Sequence, residues 1–188
     1  MKNAKGQAMV ELALVLPLAM VLVLGVVEVS YLVLDQHVVT KLTREGSNLI
    51  SRDTSLGDAA LAMKSMSSRP VDFTKSSKVV FSVVKRVSTT GAANYNKDVL
   101  YQRYEYGAIA ASSVFTTKGS GSFGSAPDYI ASNSDNDTNL QITNFPPNLL
   151  STGGLMYITE IFTKHTLLTP FDKFGITVPS TLYSIAYF

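Results

Sequence analysis

The residues in this chain best placed to do chemistry are two glutamates set in an apolar setting. Glu11 stands at the mouth of a long apolar run, and Glu28 lies seventeen residues further along, inside it. On one helix that spacing is roughly 26 Å, which puts the two acids near opposite edges of an apolar layer. A carboxylate beside hydrocarbon is costly, so each acid calls for a partner that makes use of it. For Glu28 two partners fit the sequence: headgroups and water at an interface, or a cation on a neighbouring subunit. Other reactive chemistry is thinly represented. There is no cysteine, hence no disulfide, thiolate nucleophile or thiolate metal site. His37 and His165 are far apart, lack a carboxylate at metal-ligand spacing, and read as surface or packing residues. No serine-hydrolase elbow, phosphate-binding loop or zinc-protease motif is present, so the reading is of a protein that is not an enzyme and calls for no cofactor or metal. "DNDTN" sets Asp135, Asp137 and Asn139 at the spacing of the first ligands of a calcium loop. Leu140 and Pro146 then stand where that loop needs glycine and glutamate, so a solvated turn is expected. Sixteen basic and fourteen acidic residues leave a charge of +2, too little for a nucleic-acid partner.

The element that must hold the two glutamates is the run Leu12–Leu34, interrupted only by Glu28 and Ser30. Its twenty-three residues would extend about 34 Å as a helix, against a hydrocarbon core of ~30 Å. A cleaved secretory signal would be shorter and end at a small-residue site, which "EVSYLVLDQH" does not offer. A buried core helix so uniformly apolar would need a larger protein around it. The expectation is a retained membrane helix, with Lys2 and Lys5 on the cytoplasmic side and the remainder outside. Pro17 removes the donor that would bond the Ala13 carbonyl, which predicts a bend or loosening there.

The opening "KGQAMVE" resembles the leader of a type IV prepilin: a glycine, Gly6, five positions before a glutamate, with lysines upstream and an apolar span following. The longer stretch "GQAMVELALVLPLAMVLVLGVVEVSYLVLDQHVVTKLTREGSNLIS" is similar to the N-terminus of TadE-like proteins of the tight-adherence (Tad, or Flp) pilus system. The matching positions are Val10, Glu11, Ala13, Leu14, Leu16, Pro17, Gly25, Glu28, Arg44, Glu45 and Gly46, with Met9 a departure where a small residue is usual. The resemblance fades after about fifty residues and returns near "MYITEIFTKHTLLTPFDKFGI", as a late strand followed by a proline-containing turn. It implies cleavage between Gly6 and Gln7 by a prepilin peptidase. Residues 1–6 would be the leader, 7–34 the transmembrane and assembly helix, and 35–188 the outer domain. Cleavage would free an α-ammonium at Gln7, with a pKa near ~7.7–8.0, and Glu11 would neutralise that of an adjacent subunit. The partners implied are the peptidase, other pilin subunits, the inner-membrane assembly platform and the bilayer. The length points to a minor pilin or pseudopilin. An unprocessed, anchored interaction protein and an adhesive tip subunit are the other readings.

Beyond the membrane, Val38, Val39, Leu42, Leu49 and Ile50 continue a helical stripe with Gly46 on it, and a close neighbour is expected at that glycine. "SLGDAALAMKSM" predicts a second, short helix with Leu56, Ala60 and Met63 on one face. From Lys78 the period becomes two: "KVVFSVVKRV", "VLYQRYEYG", "LMYITEIFTKH" and "TLYSIAYF" read as strands. Val79, Phe81 and Val83 share an apolar face, as do Met156, Ile158 and Phe162, though Glu160 interrupts the second. The tyrosine-rich segment is either a contact surface or a half-exposed strand. The polar stretch Gly107–Asn148 reads as a long functional or mobile loop. The predicted class is α+β and pilin-like: a long N-terminal helix packed on a small antiparallel sheet of about four strands.

Overall fold

The computed structural model describes residues 3–169 and 179–188. Its first element, α1, is a helix of 48 residues, Asn3–Ile50, which runs through Pro17 without interruption. The bond missing at Pro17 is one in a long ladder, and the helix continues on either side of it. A short helix α2, Leu56–Met66, follows; Ser55 opens it by accepting the Asp58 N–H at 3.1 Å. Four strands complete the fold: β1 Ser77–Arg86, β2 Asp98–Gly107, β3 Leu155–Lys164 and β4 Thr181–Tyr187. They form one antiparallel sheet in the order β2-β1-β3-β4, with a register shift between Val83 and Val84. The α+β, pilin-like arrangement read from the sequence is the one observed. The proline-containing turn after β3 falls at Pro170, outside the described residues.

One sheet face packs on the outer half of α1. Val79, Phe81 and Val83 of β1 and Ile161 of β3 meet Val39, Leu42 and Ile50 of α1 and Leu56, Ala59, Ala60 and Met63 of α2. Gly46 lies where the helices and sheet come closest: a Cβ there would run into the side chains of Met63 and Thr159. Helix side chains also bond the last strand. Ser47 Oγ donates to the Ala186 carbonyl at 3.0 Å, and Gln36 Nε2 to the Tyr183 carbonyl at 3.1 Å.

On the opposite face, the 107–148 stretch read as a long functional or mobile loop is packed against the sheet. Residues of the 107–148 stretch bridge β2 at Gln141 and Ile130, and bridge one another at Thr117 with Ile142 and Phe123 with Ala131. The stretch buries Phe115, Ala131 and Leu140 and includes a single 3-10 turn, Thr138–Leu140. Phe115 packs with Val84, Leu150 and Ile158 on the face that Met156 shares. β1 is therefore covered on both sides, which is why it reads as a nearly continuous apolar run. Glu160, the interruption in the Met156–Ile158–Phe162 face, is fully buried and bonded rather than exposed. It accepts from Ser113 Oγ, from the Val114 N–H at 2.9 Å and from the Tyr183 hydroxyl at 3.0 Å. Burial, and then the Glu160 charge, push the Tyr183 hydroxyl well above the usual phenol range.

Asp135 and Asp137 are likewise engaged with the chain. Asp135 takes Lys85 Nζ at 2.9 Å and Thr89 Oγ1 at 2.6 Å, and Asp137 accepts the Asn139 N–H at the start of the 3-10 turn. The tyrosine-rich strand is half-buried: Tyr101, Tyr104 and Tyr106 lean on the core, and Tyr104 stacks on Tyr129 at 4.4 Å between ring centroids.

Candidate functional site

Among the described residues, little outside α1 covers its inner half. From Gly6 to Val27 the described side chains are exposed, apart from Gly25, which is half-buried; Met9 is 74 % and Leu14 72 % exposed. This is the one helix among the described residues long and apolar enough to cross a membrane. A continuous apolar cylinder of this kind has no stable place in water and needs either lipid or other helices around it. Gly6 has open space where a Cβ would sit. Gln7 Nε2 donates to Glu11 Oε1 at 3.0 Å, one helical turn on, so both side chains lie on one face. Among the described residues, no other hydrogen bond or ion pair reaches Glu11.

Glu28 is in a different situation. It is 2 % exposed, although it sits in the same apolar run. The segment after β3 lies against α1 there and aims three donors at its carboxyl group. The Thr169 N–H and Oγ1 reach Glu28 Oε2 at 3.0 and 2.7 Å, and the Leu168 N–H lies 3.2 Å from the same oxygen. His165 completes the cluster, with Nε2 3.3 Å from Glu28 Oε1 and Nδ1 2.8 Å from Asp35 Oδ2. Glu28 and Asp35 are seven residues apart, two turns of the helix, so one imidazole spans them on a single face. The sequence reading left Glu28 to headgroups, water or a neighbour's cation, and placed His165 at the surface or in packing. In the structure the partners come from the same chain, some 140 residues away.

No periodicity links position 28 to 165–169, and His165 carries no local motif. The hint available was a glutamate three residues after Gly25 in an otherwise apolar run. Asp35, His165 and Thr169 had no such sign. Arg44 and Glu45 are exposed on the outer side of the helix, and Gly46 is explained by the approach of Met63.

Residues 6–48 match the family model described as TadE-like protein. The N-terminal region is similar to that of TadE-like proteins. The match covers the exposed half of α1, Glu11, Glu28, Asp35 and the glycine under Met63, and it ends just before the helix does. The sheet domain lies outside the matched window. No curated protein and no solved structure matches the chain.

Proposed function

We propose that this TadE-like chain is a minor pilin or pseudopilin of a Tad-type pilus. In this reading it waits in the inner membrane on the apolar half of α1, with Lys2 and Lys5 cytoplasmic and the sheet domain periplasmic. A prepilin peptidase removes residues 1–6, and the subunit then joins or primes the pilus. The observation that carries the reading is the division of α1. Its outer half is packed into an α+β head, and its inner half is bare, apolar, and headed by Gly6 and Glu11.

Each role follows from chemistry. A glycine beside the scissile bond lets a peptidase approach the backbone closely, and Gly6 has no neighbour in the way. Cutting before Gln7 frees an ammonium group that would be costly alone among packed helices. Glu11 lies one turn from Gln7, on the same face, and among the described residues its carboxylate accepts from the Gln7 amide alone. In an assembled bundle it answers the ammonium of the adjacent subunit and sets the register between helices. The remaining contacts are apolar, supplied by the run ending at Leu34. Its partners would be the peptidase, the other pilin subunits, the inner-membrane assembly platform and the bilayer.

The mass of the N-terminal peptide, from protein isolated out of pilus-producing cells, tests this. A chain beginning at Gln7 is expected. A chain still beginning at Met1 would replace the pilin by a permanently anchored periplasmic interaction protein.

A further inference from the structure

The bare apolar face of α1 and the seat of the head on the helix overlap, and the overlap locates the membrane surface. Exposed apolar side chains run along the helix from Met9 to Leu34, and Val29, Tyr31, Val33 and Leu34 all remain exposed. That is about 39 Å of helix, against a hydrocarbon core of ~30 Å and roughly 40–45 Å with the headgroup layers. The head nevertheless begins at Glu28, on the other face, where the Leu168 and Thr169 N–H groups bond its carboxyl group. From Glu28 to Leu34 is about 9 Å. Over that distance the helix is covered by its own chain on one side and is apolar and bare on the other.

We infer that in the membrane-resident subunit Thr166–Leu168, between the buried His165 and Thr169, is a bilayer-contact surface, with Leu168 seated among lipid at the boundary of the hydrocarbon. The inference rests on the reading of α1 as a membrane helix. Leu168 is 50 % exposed although its backbone is fixed to a buried glutamate, so its side chain points off the head at the level of Glu28. Beside it a cleft of about 370 Å³ opens between this segment and the helix, lined in part by Tyr31, Leu34, Val38, Arg69, Thr166 and Leu168. Its chemistry is that of an interface. An aromatic ring with a polar tip, Tyr31, is 47 % exposed at the same height. Arg69, exposed at the rim, has a long apolar stem and a charge suited to headgroup phosphates. The His165 cluster fits the same position. Near hydrocarbon, polar groups must be satisfied within the protein, and here Glu28 takes three donors and an imidazole contact from the chain itself.

The chain has no tryptophan, so single substitutions make clean depth probes. The full-length protein carrying Leu168→Trp would be reconstituted into phosphatidylcholine–phosphatidylglycerol vesicles. Their acyl chains would be brominated either near the carbonyl end or near the methyl end. Bromine near the carbonyl end should quench the Leu168→Trp emission more than bromine near the methyl end, and Tyr31→Trp should behave alike. Leu16→Trp should be quenched by both lipids, and Val114→Trp, on the far side of the head, by neither. If Leu16→Trp escapes quenching, the membrane reading of the helix is wrong and the inference goes with it. If Leu16→Trp is quenched while Leu168→Trp and Tyr31→Trp are not, the helix is in the bilayer and the inferred contact is overturned. Helix-to-helix association between copies would produce that second result.

Discussion

Glu28 shows how one polar residue in an apolar helix can be tolerated without water. Its oxygens are shared among two backbone N–H groups, a threonine hydroxyl and an imidazole. In Glu28→Ala the Leu168 and Thr169 N–H groups lose their acceptor, at about 1–3 kcal/mol for each buried donor left unpaired. Residues 165–169 should then come away from α1. Amide exchange at 168 and 169 should quicken while exchange in β1 stays slow; unchanged exchange at 168 and 169 would mean another acceptor serves them. A second carboxylate gives a pH dependence. The Thr89 hydroxyl first, and then Lys85, hold the Asp135 carboxyl below its ordinary range. A carboxyl depressed in the folded state contributes stability that is complete above its unfolded pKa of ~3.9 and is lost as pH falls through the folded value. The loop around the 3-10 turn should therefore loosen in acid before the sheet does, seen as faster exchange at 134–140. Asp135→Asn should remove that step.

At the scale of elements, α1 does two jobs with two different faces and two different halves. Its outer half is an ordinary packed helix in which Val39, Leu42, Ile50 and Gly46 meet the sheet. Gly46→Val should overpack the contact with Met63 and Thr159. Such insertions cost about 1–3 kcal/mol, read as a lower urea midpoint for unfolding of the detergent-purified chain. Met63→Ala in the same background should recover part of the loss by making room. The 107–148 stretch behaves as a third layer over the sheet, because Phe115 and Leu140 anchor it and Ser113 and Val114 bond to Glu160. It closes the face of β1 that α1 leaves open.

For the whole molecule the consequence is a head that does not swing freely on its stalk. Contacts at Glu28, Gln36 and Ser47 fix the sheet domain to α1 along more than five turns of helix. Assembly through the bare half of α1 would then place the head of each subunit at a set angle to its neighbours. Two substitutions separate processing from assembly. Gly6→Leu should block removal of the leader and leave the chain in the membrane, read as an N-terminal peptide that begins at Met1. Glu11→Ala should be processed and yet incorporated poorly, measured as the ratio of protein in sheared pili to protein in membranes. Normal incorporation of Glu11→Ala would count against pairing between Glu11 and the freed amine.

Much of this architecture was legible in the order of residues, and the physical reason is that it is local. Helix and strand follow from periods of 3.6 and 2, so α1, α2 and all four strands could be read from patterns within short windows. Gly46 announced a close approach because glycine is otherwise unfavourable within a helix. The bare apolar run needed only its length. What depended on the tertiary structure was every pairing across a long separation. Glu28 with His165 and Thr169, Glu160 with Ser113 and Tyr183, and the folding of a polar 42-residue stretch onto the sheet leave no periodic trace. Such contacts are specified by which surfaces meet once the elements have formed, and the sequence lists only their ingredients.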